Sequence, residues 1–138
     1  MRPPNMMRTR KFKRFAAVPD GMGDDLSLGD DFTSRLRACE PVAGCWISIG
    51  HPASAELLAG VGYDFAVLDG EHTEMTLEAL ATVVRAVAAA GTDTVPIVRV
   101  ASNDPTEVKR VLDLGPVGVM VPSVETAAEA ERAVDACT

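Results

Sequence analysis

The sequence predicts an α/β protein in which four short strands alternate with helices. Four apolar runs recur at a spacing of about 25 residues, which suits one strand, one helix and two short connections. Between these runs, apolar residues recur every three or four positions, the spacing that gives a helix one buried face. The runs themselves are continuously apolar, which is typical of parallel strands in a sheet covered on both faces.

The apolar runs are the predicted strands, and the periodic segments between them are the predicted helices. The strands are predicted over residues 44–49, 65–69, 95–100 and 117–121. The helices are predicted over residues 32–39, 53–60, 77–90, 105–114 and 127–136.

Residues that typically begin or end helices support these boundaries. Gly60 and Gly62 close the second helix, because glycine readily adopts the left-handed conformation found at helix C-termini. Asp104 is placed to cap the start of the fourth helix. Thr126 and Glu129 have the spacing of a capping box at the start of the fifth helix.

Two architectures fit this order of elements: an open doubly wound sheet, or the first four βα units of a (β/α)8 TIM barrel. A dinucleotide-binding open sheet should carry a G-x-G-x-x-G pattern after its first strand, and residues 50–54 lack it. A complete barrel needs about 250 residues, whereas this chain has 138. We therefore expect an incomplete barrel over residues 32–138, with its remaining strands supplied from elsewhere.

Residues 1–31 are predicted to be a disordered tail, or the result of a start codon placed too early, with Met22 as the true start. Basic side chains crowd residues 1–15, which contain no acid, so a transit peptide and a nucleic-acid arm are alternatives. The prolines and glycines that follow favour disorder. The rest of the chain is strongly acidic, which disfavours nucleic acid and anionic membranes as partners.

The composition is that of a cytoplasmic protein. No run approaches the roughly 18 apolar residues of a membrane span, and the basic head lacks the apolar core of a secretory signal. The three cysteines, Cys39, Cys45 and Cys137, lack the paired spacing of a zinc or redox site. We expect them to be free, mostly buried thiols in a reducing compartment.

Ionisable side chains occur at two neighbouring predicted strands. Asp69, Glu71 and His72 come where the second strand ends, and Arg99 lies within the apolar third strand. Because the carboxyl ends of parallel strands meet at one edge, we expect these groups to lie together. His72 is then a general base, a group that orients water or hydroxide on a metal, or a loop histidine bonded to backbone. Arg99 binds a small carboxylate or an enolate oxygen, or forms a structural ion pair with one of the acids.

Two further residues are candidates for supporting roles. Asp113, at the end of the fourth helix, either holds the His72 ring in one tautomer or is a simple solvated acid. His51 precedes Pro52, which favours extended backbone and a structural role in that loop. No serine has a base at recognisable spacing and no lysine ends a strand, so an electrophile has to come from a metal.

Several motifs recur in order along residues 32–138. They are GCWIS at 44–48, SAELLAG at 54–60, GYDF at 62–65, LDGEH at 68–72, PIVRV at 96–100, NDP at 103–105, KRVLDLG at 109–115 and VMVP at 119–122. In this order they resemble the HpcH/HpaI-type class II pyruvate aldolases, which include 4-hydroxy-2-oxoheptanedioate and 2-dehydro-3-deoxy-sugar-acid aldolases. Residues 1–31 match nothing in that family.

The resemblance implies a (β/α)8 barrel that cleaves 4-hydroxy-2-oxo acids to pyruvate and an aldehyde. It implies a divalent metal, Mg²⁺, Mn²⁺ or Co²⁺, that chelates the 2-oxo acid. By the resemblance, His72 is the catalytic base, acting through metal-bound water, and Asp113 is its orienting acid. Arg99 binds pyruvate oxygen and stabilises the enolate, while Glu71 and Asp69 lie in the outer shell of the metal.

The resemblance also implies parts that this stretch of sequence lacks. The direct metal ligands of the family, a glutamate and an aspartate, are expected on later strands beyond Thr138, together with a loop that grips the 2-oxo acid. We therefore expect the N-terminal half of an aldolase, inactive alone, whose full-length form is a homo-oligomer in the catabolism of aromatic compounds or sugar acids. The alternative is a non-enzymatic half-barrel that pairs with itself or with another chain.

Overall fold

The computed structural model describes residues 26–138, so most of the predicted tail lies outside the described residues. An initial helix is followed by alternating strands and helices. The helices are α1 (Leu26–Arg37), α2 (Pro52–Gly60), α3 (Leu77–Ala89), α4 (Pro105–Leu112) and α5 (Ala127–Ala136). The strands are β1 (Gly44–Ile47), β2 (Phe65–Asp69), β3 (Val95–Arg99) and β4 (Gly118–Met120).

The four strands form one parallel sheet in the order β1-β2-β3-β4. Ile47 lies beside Leu68 in the register, Leu68 lies beside Val98, and Val98 lies beside Val119. A strand order that follows the chain in one direction is that of a TIM-type barrel, whereas a doubly wound sheet reverses at its switch point. The predicted α/β fold with four parallel strands is confirmed.

One face of the sheet packs against helices and forms the core. Its strand residues Ile47, Leu68 and Val98 are buried together with helix residues. These helix residues include Ala55, Ala59, Leu80, Val83, Val84, Val87, Val108 and Val111. Because side chains alternate along a strand, Trp46 and Asp69 point to the opposite face. Trp46 is 46% exposed there, whereas Val67 and Asp69 on the same face are buried, so residues 26–138 cover this second face only in part.

The ends of the helices agree with the sequence signals at most positions. The Asp104 side chain caps α4, and Thr126 takes part in a complete capping box at α5, as predicted. At the end of α2, the prediction for Gly60 is wrong, because Gly60 is still helical and Val61 is the C-cap. Gly62 adopts the left-handed conformation, with φ of +90°.

Helix α1 begins at Leu26, earlier than the predicted start at Phe32. Phe32 is buried, and its ring centroid lies 5.6 Å from that of Phe65 at the start of β2. Gly29 weakens the helical signal, since glycine is unfavourable within a helix. In the structure its small size matters, because a Cβ there would lie 3.2 Å from the Val117 side chain. Tertiary packing therefore extends the helix beyond what local sequence indicates.

Three predicted strands are longer than the observed ones, because their apolar runs continue into the loops. Strand β1 ends at Ile47, β3 ends at Arg99, and β4 spans only Gly118–Met120. None of the described helices is both long enough and apolar enough to span a bilayer.

The cysteines Cys39, Cys45 and Cys137 are free, as expected. Cys39 and Cys137 are exposed, however, and Cys45 is half-buried, so the expectation that these thiols are mostly buried is wrong. Burial raises the pKa of the Cys45 thiol.

Candidate active site at the carboxyl ends of β2 and β3

Asp69 and Arg99 are the last residues of β2 and β3, and the strand register pairs them. Arg99 Nε lies 3.0 Å from Asp69 Oδ1, and Arg99 Nη2 lies 2.7 Å from Asp69 Oδ2. The guanidinium and the carboxylate thus form a two-pronged ion pair, the geometry in which arginine binds carboxylates most specifically. Asp69 is only 4% exposed. We call this pair the Asp69–Arg99 fork.

Three further donors converge on the Asp69 carboxylate. The backbone N–H groups of Glu71 and His72 donate to Oδ1 at 3.0 and 3.2 Å. The indole N–H of Trp46 donates to Oδ2 at 3.2 Å. The Arg99 hydrogen bonds, helped by these donors and opposed by burial, hold the pKa of Asp69 well below its usual value. Asp69 is therefore an anion at neutral pH and serves as an anchor rather than as a proton donor.

The Arg99 guanidinium also contacts a second acid and an aromatic ring. Its Nη1 lies 2.7 Å from Oε2 of Glu71, and its Cζ lies 4.9 Å from the ring centroid of Trp46. The hydrogen bonds to Asp69 raise the pKa of Arg99 above its usual value. The predicted ion pair is therefore present, with both acids as partners. Because a guanidinium has five N–H groups, it keeps donors that these two acids do not use.

His72 lies in the loop after β2, where hydrogen bonds hold the backbone and the imidazole is largely exposed. The Thr73 hydroxyl donates to the Asp69 carbonyl oxygen, and its oxygen accepts the N–H of Met75. The His72 side chain is 73% exposed, and its Nε2 lies 3.5 Å from Oε1 of Glu71. A cleft of about 570 Å³ beside the imidazole is lined by Ser48, Ile49, Gly50, Thr73 and Met75. The imidazole is therefore accessible to a small molecule.

Gly70 brings the loop that carries His72 close to β3. Its backbone N–H donates to the Arg99 carbonyl oxygen at 2.9 Å. A Cβ at this position would lie 2.7 Å from the same oxygen, which is too close for an ordinary contact. Glycine is therefore required for the loop to leave β2 beside Arg99.

Asp113 does not join this cluster. It is the exposed C-cap residue of α4. Helix α4 begins at Pro105, after the carboxyl end of β3, and leads back to the amino end of β4 at Gly118. His72 lies at the carboxyl edge of the sheet, so Asp113 and His72 of the same chain are at opposite edges. As predicted, Asp113 lies at the end of the fourth helix, and that end is at the amino edge of the sheet.

His51 has the structural role that was predicted for it. Its backbone is extended, with φ of −119° and ψ of 130°, and it is the N-cap residue of α2. Its Nδ1 accepts the backbone N–H of Ala53 at 3.2 Å. The side chain thus satisfies one of the free donors at the start of the helix.

The described residues do not by themselves fit a divalent metal. Within residues 26–138, no group of three or more His, Cys, Asp or Glu side chains is arranged to hold an ion. Asp69 and Glu71 are both committed to Arg99. The buried Oε2 of Glu71 makes a close ion pair with Arg99 that lacks hydrogen-bond geometry. Direct ligands for a metal at this site have to come from other residues.

Trp46 is the site residue that the sequence analysis did not identify. It pairs in register with Val67, which lies two residues before Asp69 on the same strand. Residues two apart on a strand share a face, so Trp46 and Asp69 lie on the same side of the sheet. The even spacing between Val67, the register partner of Trp46, and Asp69 was the signal in the sequence that could have placed the single tryptophan at the site.

Comparison with known proteins supports the resemblance seen in the sequence. The sequence model of the HpcH/HpaI aldolase/citrate lyase family matches residues 42–138. The chain belongs to this family. A hydroxypyruvate/pyruvate aldolase of Paraburkholderia phytofirmans is 45% identical over 101 residues, covering 73% of this chain and 39% of that protein. A 4-hydroxy-2-oxo-heptane-1,7-dioate aldolase of Shigella sonnei is 39% identical over 109 residues, covering 79% of this chain and 41% of that protein.

Solved structures share the fold of the described residues. A family member from Burkholderia cenocepacia aligns with a TM-score of 0.74 at 40% identity, over 77% of this chain and 42% of that one. A citrate synthase, SbnG, aligns with a TM-score of 0.66 at 39% identity, over 73% of this chain and 40% of that one. The chain thus spans about 40% of the length of the curated relatives that it matches.

Proposed function

We propose that this chain carries the base and the arginine of a metal-dependent aldolase that cleaves 4-hydroxy-2-oxo acids to pyruvate and an aldehyde. The observation that carries the proposal is the Asp69–Arg99 fork at the carboxyl ends of β2 and β3, with His72 in the adjoining loop. The names of two relatives, both aldolases, support lyase chemistry on 2-oxo acids.

In this proposal Arg99 binds the carboxylate or the enolate oxygen of the 2-oxo acid. The fork fixes the guanidinium before substrate binds, so little reorganisation is needed when negative charge develops. A preorganised donor to a developing oxyanion contributes roughly 10²–10³-fold to the rate in enzymes of known mechanism. Arg99 is therefore the electrostatic stabiliser of the reaction.

His72 is the proposed base. It takes the proton from the C4 hydroxyl of the substrate, and the bond between C3 and C4 breaks to release the aldehyde. The electron pair of that bond passes to the enolate of pyruvate, whose oxygen faces Arg99. Imidazole suits this role because it exchanges a proton near neutral pH, and the His72 ring is accessible in its cleft.

The charge of the cluster supports the need for a further cation. Two carboxylates and one guanidinium leave one net negative charge at neutral pH, which repels an anionic 2-oxo acid. We propose that Mg²⁺, Mn²⁺ or Co²⁺ corrects this charge, held by ligands other than residues 26–138, with Asp69 and Glu71 in its outer shell. Such an ion acts as a Lewis acid and orients the substrate.

An orienting role for Asp113 requires two chains. Within one chain Asp113 and His72 lie at opposite edges of the sheet, so Asp113 can reach His72 only from another copy. A homo-oligomer is therefore part of the proposal. Its test is the oligomeric state, measured by analytical ultracentrifugation, of an active family enzyme into which residues 42–138 have been transferred. A monomeric active enzyme would contradict this part.

Pyruvate release with Mg²⁺ or Mn²⁺ tests the catalytic proposal on the chain itself. We expect no appreciable turnover from the 138-residue chain, which spans about 40% of its relatives. Turnover of about 1 per second or faster, in the range of ordinary enzymes, would contradict inactivity and would show that no further ligands are needed.

The open edges of the sheet favour a second candidate function. Within residues 26–138, β1 and β4 each pair with one strand only, and unpaired strand edges bind other chains readily. The chain is then a non-enzymatic half-barrel that pairs with itself or with a partner. A folded, monodisperse dimer that binds no Mn²⁺ in calorimetry would favour this function over the aldolase.

A further inference from the structure

We infer that Trp46 is a positioning residue that fixes the plane of the Arg99 guanidinium. Its indole N–H donates to Oδ2 of Asp69 at 3.2 Å, and its ring centroid lies 4.9 Å from Cζ of Arg99. It therefore touches both members of the Asp69–Arg99 fork. The importance of this contact for catalysis rests on the proposed role of Arg99, but the contact itself does not.

The ring and the carboxylate restrain different motions of the guanidinium. The two hydrogen bonds of the fork fix the position of the guanidinium relative to the Asp69 carboxylate. They still allow the plane of the guanidinium to tilt about the axis of the hydrogen bonds. A ring within about 6 Å of a guanidinium attracts its face, and Trp46 opposes that tilt from one side. Glu71 holds the third nitrogen at 2.7 Å. Together these groups aim the unused N–H donors of Arg99 in one direction.

Trp46 lies on the face of the sheet opposite the helix-packed core. Its neighbours on β1, Cys45 and Ile47, face the helices and pack in the core. Trp46 itself is 46% exposed in the described residues, and its contacts are with the Asp69–Arg99 fork. Its contacts with Arg99 and Asp69 give a physical reason for placing an aromatic donor there.

NMR spectroscopy of the 138-residue chain measures these contacts without any need for activity. The chain has one tryptophan, so its indole N–H gives a single resonance. The Nε–H of Arg99 donates to Asp69, and the guanidinium lies close to the Trp46 ring. We expect the Arg99 Nε proton to exchange slowly with water. We also expect the ring current of Trp46 to shift the Arg99 side-chain resonances upfield, and nuclear Overhauser cross-peaks to connect Arg99 with Trp46.

Two substitutions separate the ring from its donor. Trp46→Phe keeps an aromatic face and removes the N–H, whereas Trp46→Leu removes both. We expect Arg99 Nε–H to exchange about tenfold faster in Trp46→Leu, and Trp46→Phe to restore much of the protection and of the upfield shift. Leu57→Ala is the matched control, because it removes another exposed apolar side chain, on α2, and should leave both signals unchanged.

The outcomes are distinct. Loss of the Arg99 signals in Trp46→Leu, with rescue in Trp46→Phe and no change in Leu57→Ala, supports the inference. Unchanged Arg99 signals in Trp46→Leu, or an equal loss in Leu57→Ala, overturn it. If Trp46→Leu does not fold, the cross-peaks in the natural chain decide, because their absence overturns the inference and their presence supports it. None of these measurements depends on aldolase activity, so failure of the proposed function is seen separately.

Discussion

Replacement of Asp69 by asparagine removes one charge from the most densely bonded group of the site. The variant leaves Arg99, whose side chain is 18% exposed, with Glu71 as its remaining acid partner at 2.7 Å. Removing one partner of a buried ion pair costs about 3–5 kcal/mol. Because Glu71 remains and Arg99 keeps some contact with solvent, we expect the lower end, about 3 kcal/mol of unfolding free energy.

Urea unfolding followed by circular dichroism at neutral pH measures this loss. It is a large part of the roughly 5–15 kcal/mol that stabilises an ordinary domain. Asp93→Asn is the control, since Asp93 is exposed and its substitution should change the free energy by less than about 0.5 kcal/mol. A loss below about 1 kcal/mol in Asp69→Asn would refute the claim that the fork is a buried, structurally coupled pair.

The pH dependence of the same difference provides a second check. The folded state lowers the pKa of Asp69 from its ordinary value of 3.8. A carboxyl group with a lowered pKa stabilises the fold above its unfolded pKa, and this stabilisation is lost as pH falls through the folded value. The unfolding free energy of the natural chain should therefore exceed that of Asp69→Asn by a constant amount above about pH 5. The difference between the two free energies should shrink below about pH 4. A difference that grows on acidification would contradict this assignment.

Three further substitutions test the loop and one helix end. His72→Gln should change the unfolding free energy by less than about 0.5 kcal/mol, because the side chain is 73% exposed. In an active family enzyme that carries residues 42–138, the same substitution should lower the rate of pyruvate release about 10²–10⁴-fold. Gly70→Ala should cost about 1–3 kcal/mol in urea unfolding, since its Cβ would lie 2.7 Å from the Arg99 carbonyl oxygen; an unchanged midpoint would refute the close approach. Thr126→Ala should lower the unfolding free energy by about 1 kcal/mol, because it removes the side-chain oxygen that accepts the backbone N–H of Glu129. Thr126→Ser keeps that oxygen and should restore the stability.

Elements with local signals were predicted closely from the sequence. Strand β2 has both of its predicted bounds, and α3 begins at the predicted Leu77. The caps at Asp104 and Thr126 were also predicted, because a cap depends on residues only three positions apart. The start of α1 was missed, because Gly29 interrupts the helical signal and only contact with a distant part of the chain explains it.

The site was predicted in part, for reasons of geometry. The meeting of Asp69, Glu71 and Arg99 followed from the rule that parallel strands end at one edge. The contact between Trp46 and the fork depends on strand register and on side-chain length, which periodicity does not show. Asp113 lies at the end of the fourth helix as predicted, but the prediction did not specify that this end and His72 of the same chain lie at opposite edges of the sheet.

The central claim is that Arg99, fixed by Asp69, stabilises the negative charge formed in a 2-oxo acid reaction. The most direct measurement is pyruvate release by a chimera in which residues 42–138 replace the matching segment of the Paraburkholderia phytofirmans aldolase. We predict that the chimera is active with Mg²⁺ or Mn²⁺ and that Arg99→Lys lowers its kcat at least about 100-fold, because lysine keeps the charge but cannot form the fork. A kcat for Arg99→Lys within about threefold of the parent chimera would contradict the claim.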